Sequence, residues 1–313
     1  MILKKRSTFF EIFKKYIFIF SFLAISLFHF AVFWVYINAD TIRMTFFRFN
    51  NVTQEYVWCG LYNYKEVISH IFVPSKANIE DINAFKNTFY SIFINLTIFP
   101  IALIISYAFY KRIPGTKTFR VIFYLPSIIS IVILCMAYKA MFRAETGPIW
   151  QLFAAFGYEH EWLVGAPSNP TVWPCIFIFC VINGFGTNVI LMASAMQRIP
   201  NEISESSRLD GCGFFRELFF ITIPCIMPTI TSWMTMIFTS VFGFFVQPML
   251  LAPSVSEGFT TTIPMAIFSI AESGKTNLFI GAATLGIFLS LFMLPWVLLM
   301  RFIMNKVTPE VSY

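Results

Sequence analysis

About six apolar runs, each roughly twenty residues or longer and bounded by polar or charged segments, constrain this chain more than any other feature. A helix needs about twenty apolar residues to cross the hydrocarbon of a bilayer, where no water can satisfy a broken backbone. The runs cover roughly residues 16–37, 89–110, 120–142, 172–196, 225–251 and 278–304, with Pro126 as the expected kink in the third. Charged residues make up 12% of the 313, too few to coat a soluble domain of this length. The expected fold is therefore an all-α membrane protein of about six transmembrane helices.

The net charge of +6 would suit a nucleic-acid binder only if the bases formed one surface. They instead flank alternate ends of the apolar runs. Lys4, Lys5, Arg6, Lys14 and Lys15 precede the first; Lys111, Arg112, Lys117 and Arg120 follow the second; Arg198, Arg208 and Arg216 follow the fourth; Arg301 and Lys306 close the sixth. The intervening segments hold Arg143 against Glu145, Glu159 and Glu161, and Lys275 against Glu257 and Glu272. This alternation predicts both termini on the cytoplasmic side, with residues 38–86 outside. Tyr16, Trp34, Tyr36, Trp162 and Trp173 near run ends fit interfacial aromatics. The first run is too long for a secretory leader, and no small-residue cleavage site follows it.

Little in the chain points to catalysis. The six cysteines and three histidines are scattered without metal-ligand spacing, so neither a disulfide framework nor a metal site is expected. The 40 Phe read as lipid-facing and packing side chains. Lys139 lies close to the outer end of the third run, where snorkelling is the expectation. Thr229, Thr231, Ser232, Thr235, Thr239, Ser240 and Gln247 space polar groups along the fifth run. They could line a path for a neutral solute or bond back to their own helix. Ala282 and Gly286 in the sixth run suggest a close helix contact. A membrane enzyme of lipid or polysaccharide synthesis would need paired acids, and Glu145, Glu159, His160 and Glu161 supply no motif. An ion-coupled carrier would need buried carboxylates that the runs lack.

The polar segment Gln197–Leu218 differs from every other. Asn201 after Pro200 can cap a short helix, with Glu202 and Glu205 near its positive end and Ile203 and Leu209 as its apolar residues. Gly211 and Gly213 interrupt it, and a second helix follows at the membrane surface before Pro224 opens the fifth run. The run Ile199-Pro200 … Glu205-Ser206-Ser207 … Asp210-Gly211 … Ile221-Thr222-Ile223-Pro224 resembles the cytoplasmic Glu-Ala-Ala loop of ABC importer permeases, with Ser206-Ser207 for Ala-Ala and Cys212 for Ala. Gly60-Leu61-Tyr62-Asn63-Tyr64, Asn87-Thr88, Phe119-Arg120 … Leu125-Pro126 and Trp162-Leu163 are similar to further signatures of the carbohydrate-uptake branch, of the maltose and glycerol-3-phosphate type. A Trp usual in its fourth span is replaced by a stretch holding Asn183, Gly184 and Gly186, and a Gly-Gly-Pro-like turn after the fifth is missing.

The resemblance implies a type I importer permease, with residues 1–84 as an N-terminal region, 85–306 as the core and 307–313 as a tail. It implies that Glu202, Glu205, Ser206, Ser207, Asp210 and Gly211 couple to an ATPase dimer; Asn183, Thr235, Thr239 and Gln247, as polar side chains within the fourth and fifth runs, are the candidate substrate-pathway residues. The implied partners are a second homologous permease, the ATPase dimer, an extracellular solute-binding protein, a sugar or oligosaccharide, and membrane lipid, but no nucleic acid. The chain has no Gly-x-x-x-x-Gly-Lys-Ser/Thr run, so ATP belongs to the partner subunits and no cofactor is expected here.

Overall fold

A computed structural model describes residues 9–50, 53, 55–73, 79–158, 171–252 and 259–307. Trp162, Leu163, Glu159, His160, Glu161, Glu257, the bases before Phe9 and the tail after Val307 lie outside the described residues. Among the described residues, four helices are long and apolar enough to cross a membrane: Phe13–Met44, Glu80–Tyr110, Val172–Met196 and Leu278–Val307. Two bent pairs, Thr116–Ile128 with Ile131–Met141 and Phe214–Cys225 with Met227–Gly243, bring the count to six when each is one crossing.

The second and fourth spans form the axis of the bundle. Ile94, Ile98 and Ala102 bury against Ile176, Phe179 and Val189, and the buried Ser106 hydroxyl donates across to the Val189 carbonyl at 2.9 Å. At one end of this axis lie Lys111, Arg112, Lys117, Arg120 and Arg198, here termed the basic end. There Tyr107, Met192, Leu218, Ile230 and Trp233 make a second cluster joining the fifth span to the axis.

The opposite end carries an antiparallel hairpin, β1 (Phe47–Asn50) with β2 (Glu55–Trp58), pairing Phe47 with Trp58. The Gly-Leu-Tyr-Asn-Tyr signature staples this hairpin. The Asn63 amide donates to the Thr45 and Phe47 carbonyls, both at 2.8 Å, and the Tyr64 hydroxyl bonds Thr45 Oγ1. Asn87-Thr88 acts similarly one element later. Asn87 donates to the carbonyls of Phe259 and Thr261, and buried Thr88 Oγ1 accepts from the Ile263 N–H at 2.9 Å. Thr88→Val keeps the shape but leaves that N–H unsatisfied, so a loss of about 1–3 kcal/mol is expected. Thermal unfolding of the detergent-solubilised protein should show a lowered midpoint; an unchanged midpoint would mean the staple carries no weight.

Several expectations need correction. The first span does not end near Ile37 but stays helical to Met44, with Asp40 and Arg43 paired on its last turn. Its apolar stretch is covered by no other described part of the chain. The second crossing starts from a helix at Ile79, well before Phe89. The third span does not bend at Pro126, which stays inside its helix; the 98° bend lies at Ile129 and Ser130, both extended. Packing decides this. The first arm lies on the fourth span near Gly186, and the second arm seats Tyr138 about two to three turns away on that helix, on the Cys175 carbonyl and the Phe179 ring. The fifth span is not one helix from Cys225 to Leu251. It bends by 79° at Ile226 and breaks again at Phe244 and Phe245 before a short helix, Val246–Leu251. In the sixth span, Gly286 does face a neighbouring helix, at Ile267. Lys139 is half-buried, two residues before its helix ends.

Candidate functional site

The polar segment at the basic end folds into a nine-residue helix, Asn201–Leu209, a turn, and a second helix beginning at Phe214. Asn201 is the first helical residue rather than a position before it. The turn depends on Gly211, whose φ of 70° is costly for any residue with a Cβ. The Cys212 N–H closes back onto the Ser207 carbonyl, which satisfies one of the carbonyls a helix end leaves open.

This helix has two distinct faces. Glu202, Glu205, Ser206, Leu209 and Asp210 are exposed, and Leu209 keeps 89% of its surface open. The opposite face holds Ile203, packed beside Leu218 and Tyr107, and Ser207, which is buried with its hydroxyl on the Ser204 carbonyl. Of the six residues expected on the loop, Ser207 therefore points into the protein, while Gly211 shapes the turn. Beside the helix opens a cavity of about 1210 Å³ whose walls include Lys111, Arg112, Lys117, Arg120, Asn201 and Ser204.

The four candidate pathway residues do not share a site. Asn183 and Gln247 line one cavity of about 170 Å³ within the bundle, together with Ser91 and Asn95. The Gln247 Oε1 is buried there without a hydrogen-bond partner among the described residues. Asn95 donates to the Ser91 carbonyl and to Ser240 Oγ, and Asn183 donates to the Phe179 carbonyl. Thr235 instead faces a groove toward Arg301 and Asn305 of the sixth span, and Thr239 is exposed. Both hydroxyls donate to their own helix, Thr235 to Thr231 and Thr239 to Met236. Sequence reasoning missed Ser91 and Asn95, because single polar residues in an apolar run give no sign of which face they occupy.

It also missed a buried ionic cluster. Lys111 Nζ pairs with the Glu217 carboxylate and donates to Ser204 Oγ at 3.0 Å, while Ser204 Oγ donates to Glu217 Oε1 at 3.0 Å. Glu217 is the one acid after the turn in a segment otherwise aromatic and basic, and that was its only signal.

A model of the family of binding-protein-dependent transport system inner membrane components matches residues 84–313. The chain belongs to this family. Among curated relatives, this permease is 25% identical over 222 residues to the arabinooligosaccharide transport permease AraP of Halalkalibacterium halodurans, covering 69% of this chain and 64% of that one. It is 29% identical over 159 residues to the maltose/maltodextrin permease MalF of Escherichia coli, covering 50% of this chain and 30% of MalF. The permease thus spans less than two thirds of either relative. Its structure superposes on a chain of a bacterial ABC transporter involved in import of the acidic polysaccharide alginate, with a TM-score of 0.80 at 20% identity, covering 96% and 99% of the two chains. That likeness is one of fold.

Proposed function

We propose that this permease is one of two homologous membrane subunits of an ATP-driven importer of sugars or oligosaccharides. Its helix Asn201–Leu209 docks in an ATPase subunit on the cytoplasmic side, and both its termini lie on that side. An extracellular solute-binding protein delivers the sugar, and the ATPase pair, not this chain, binds and hydrolyses ATP. The observation that carries this reading is the two-faced helix: carboxylates and a bare Leu209 outward, Ile203 and Ser207 inward. Closure of an ATPase dimer on ATP would move a docked helix, and the bundle would pass the motion between two states. The sugar class is supported by the named cargo of AraP and MalF and by the neutral polar cavity at Asn183 and Gln247. Amides both donate to and accept from hydroxyls, and the unpartnered Gln247 oxygen is ready for a donor.

Affinity purification of the tagged permease from its host should bring down an ATPase and a second permease, and vesicles holding the complex should take up labelled oligosaccharide only with ATP. A permease that purifies alone from gentle detergent, or vesicles that take up sugar without ATP, would sink the reading. Gln247→Leu removes the orphan acceptor at nearly constant size. Uptake is expected to fall by about fivefold or more, a loss on the order of 1 kcal/mol, with the ATPase still bound. Full uptake would remove this cavity from the pathway.

A further inference from the structure

The ionic cluster at the basic end ties together three elements that the chain itself connects only loosely. Lys111 follows the last turn of the second span, Ser204 lies mid-way along the helix Asn201–Leu209, and Glu217 stands in the first turn of the helix leading into the fifth span. The Lys111 and Glu217 side chains are 13% and 5% exposed. Among the described residues, the other ion pair, Arg43–Asp40, and the His70–Asp81 contact are open to solvent. The Lys111 ammonium also sits 5.6 Å above the Tyr107 ring and 5.7 Å above that of Tyr110, and Tyr107 packs on Phe214 at 4.6 Å. Each of these partners belongs to the joint between helices.

Burial of opposite charges is weak evidence for stability, because desolvation consumes most of the attraction. A shape requirement explains it better. A helix of nine residues is too short to hold itself in water. It leaves by way of Gly211 and Gly213, about which it could swivel. Its apolar anchor is small, since Ile203 is only half-buried and Leu209 points away. A push on its outer face would rotate such a helix rather than move the spans, unless directional bonds fix its inner face.

We propose that Lys111, Ser204 and Glu217 form a rigid joint that converts movement of the docked helix into movement of the second and fifth spans. The joint sets how much transport each ATP yields and leaves the strength of ATPase docking alone, because docking uses the opposite face, Glu202, Glu205 and Leu209. Ser204 is the fixed point on the docked helix; Lys111 and Glu217 are positioning residues on the two spans. This rests on the coupling role proposed above for Asn201–Leu209.

The test uses the complete transporter, purified with its ATPase and second permease and reconstituted with its binding protein. Glu217→Gln is expected to retain the ATPase at the native ratio while sugar moved per ATP hydrolysed falls about tenfold, within the usual range of coupling between sites. Ser204→Ala, which strands no buried charge, should lower the same ratio in the same direction and keeps the test alive if Glu217→Gln does not fold. The exchange Lys111→Glu with Glu217→Lys restores opposite charges and should recover a substantial part of the ratio. An unchanged ratio in Ser204→Ala and Glu217→Gln overturns the joint. So does a loss of ATPase from either variant, since the cluster would then serve docking, and so does a charge exchange that folds without any recovery. A parallel Glu205→Lys sample separates the two ideas: normal ATPase binding and transport in that sample alone would show that the coupling role itself is wrong.

Discussion

Glu205→Lys and Gly211→Pro are each expected to abolish ATP-driven transport while the membrane bundle stays folded. Glu205 is exposed on the outer face of the helix, so its replacement disturbs no packing within the chain. Removing a charge-assisted hydrogen bond from a docking surface costs about 1.5–3 kcal/mol, which weakens binding by about one to two orders of magnitude. Reversing the charge adds repulsion to that cost. Gly211 acts through the backbone. Its φ is 70°, proline fixes φ near −65°, and no atom lies within 4 Å of the Cβ that a side chain would add. The turn between the two helices then cannot form, although nothing clashes. Gly211→Ala should be milder, because an L-residue can enter the left-handed region at a cost of about 1–2 kcal/mol. Uptake into vesicles and the amount of ATPase that co-purifies are the measurements. Normal uptake by Glu205→Lys, with the ATPase fully bound, would take the helix out of the coupling role, and normal uptake by Gly211→Pro would show that the turn is not needed for it.

Gly186→Ala should destabilise the protein far more than its size suggests. A Cβ at Gly186 would overlap the Phe123 carbonyl oxygen, and the Tyr124 Cα lies behind it. These are backbone atoms of a neighbouring helix, so relief requires moving the whole first arm of the third span. Overpacking of this kind typically costs about 1–3 kcal/mol, and a rigid backbone neighbour puts this site at the upper end. Gly184, two residues earlier on the same helix, is the control. There the nearest atom is Ile98 Cδ1 at 2.8 Å, the free end of a flexible side chain. Gly184→Ala should therefore shift the unfolding midpoint much less. The comparison is best made by heating both variants in one detergent. Equal shifts would mean that the helices do not approach closely at Gly186, and Gly186→Leu should then still insert normally.

Sequence alone determined the number and rough position of the apolar crossings, because a bilayer imposes a length and a composition that can be read residue by residue. The fourth span, Val172–Met196, begins and ends where its apolar run does. The helix, glycine turn and helix at Asn201–Glu217 were equally legible, since carboxylates and glycines act locally. Local chemistry also gave the back-bonding of Thr235 as one of two readings for its hydroxyl.

The tertiary structure decided everything that depends on which faces meet. Pro126 supplies the local rule for a kink, yet the bend falls at Ile129 and Ser130, where the two arms must reach different levels of the fourth span. Asn183 and Gln247 converge on one cavity while Thr235 and Thr239 face elsewhere, because the break at Phe244 and Phe245 turns Gln247 back into the bundle. Asn63, Asn87 and Thr88 read as signatures without a role until the carbonyls and the N–H that they hold came into view. Lys111 and Glu217 are 106 residues apart in the chain. Nothing local marks them as partners, since the attraction between two charges depends on distance and dielectric, and folding alone sets both.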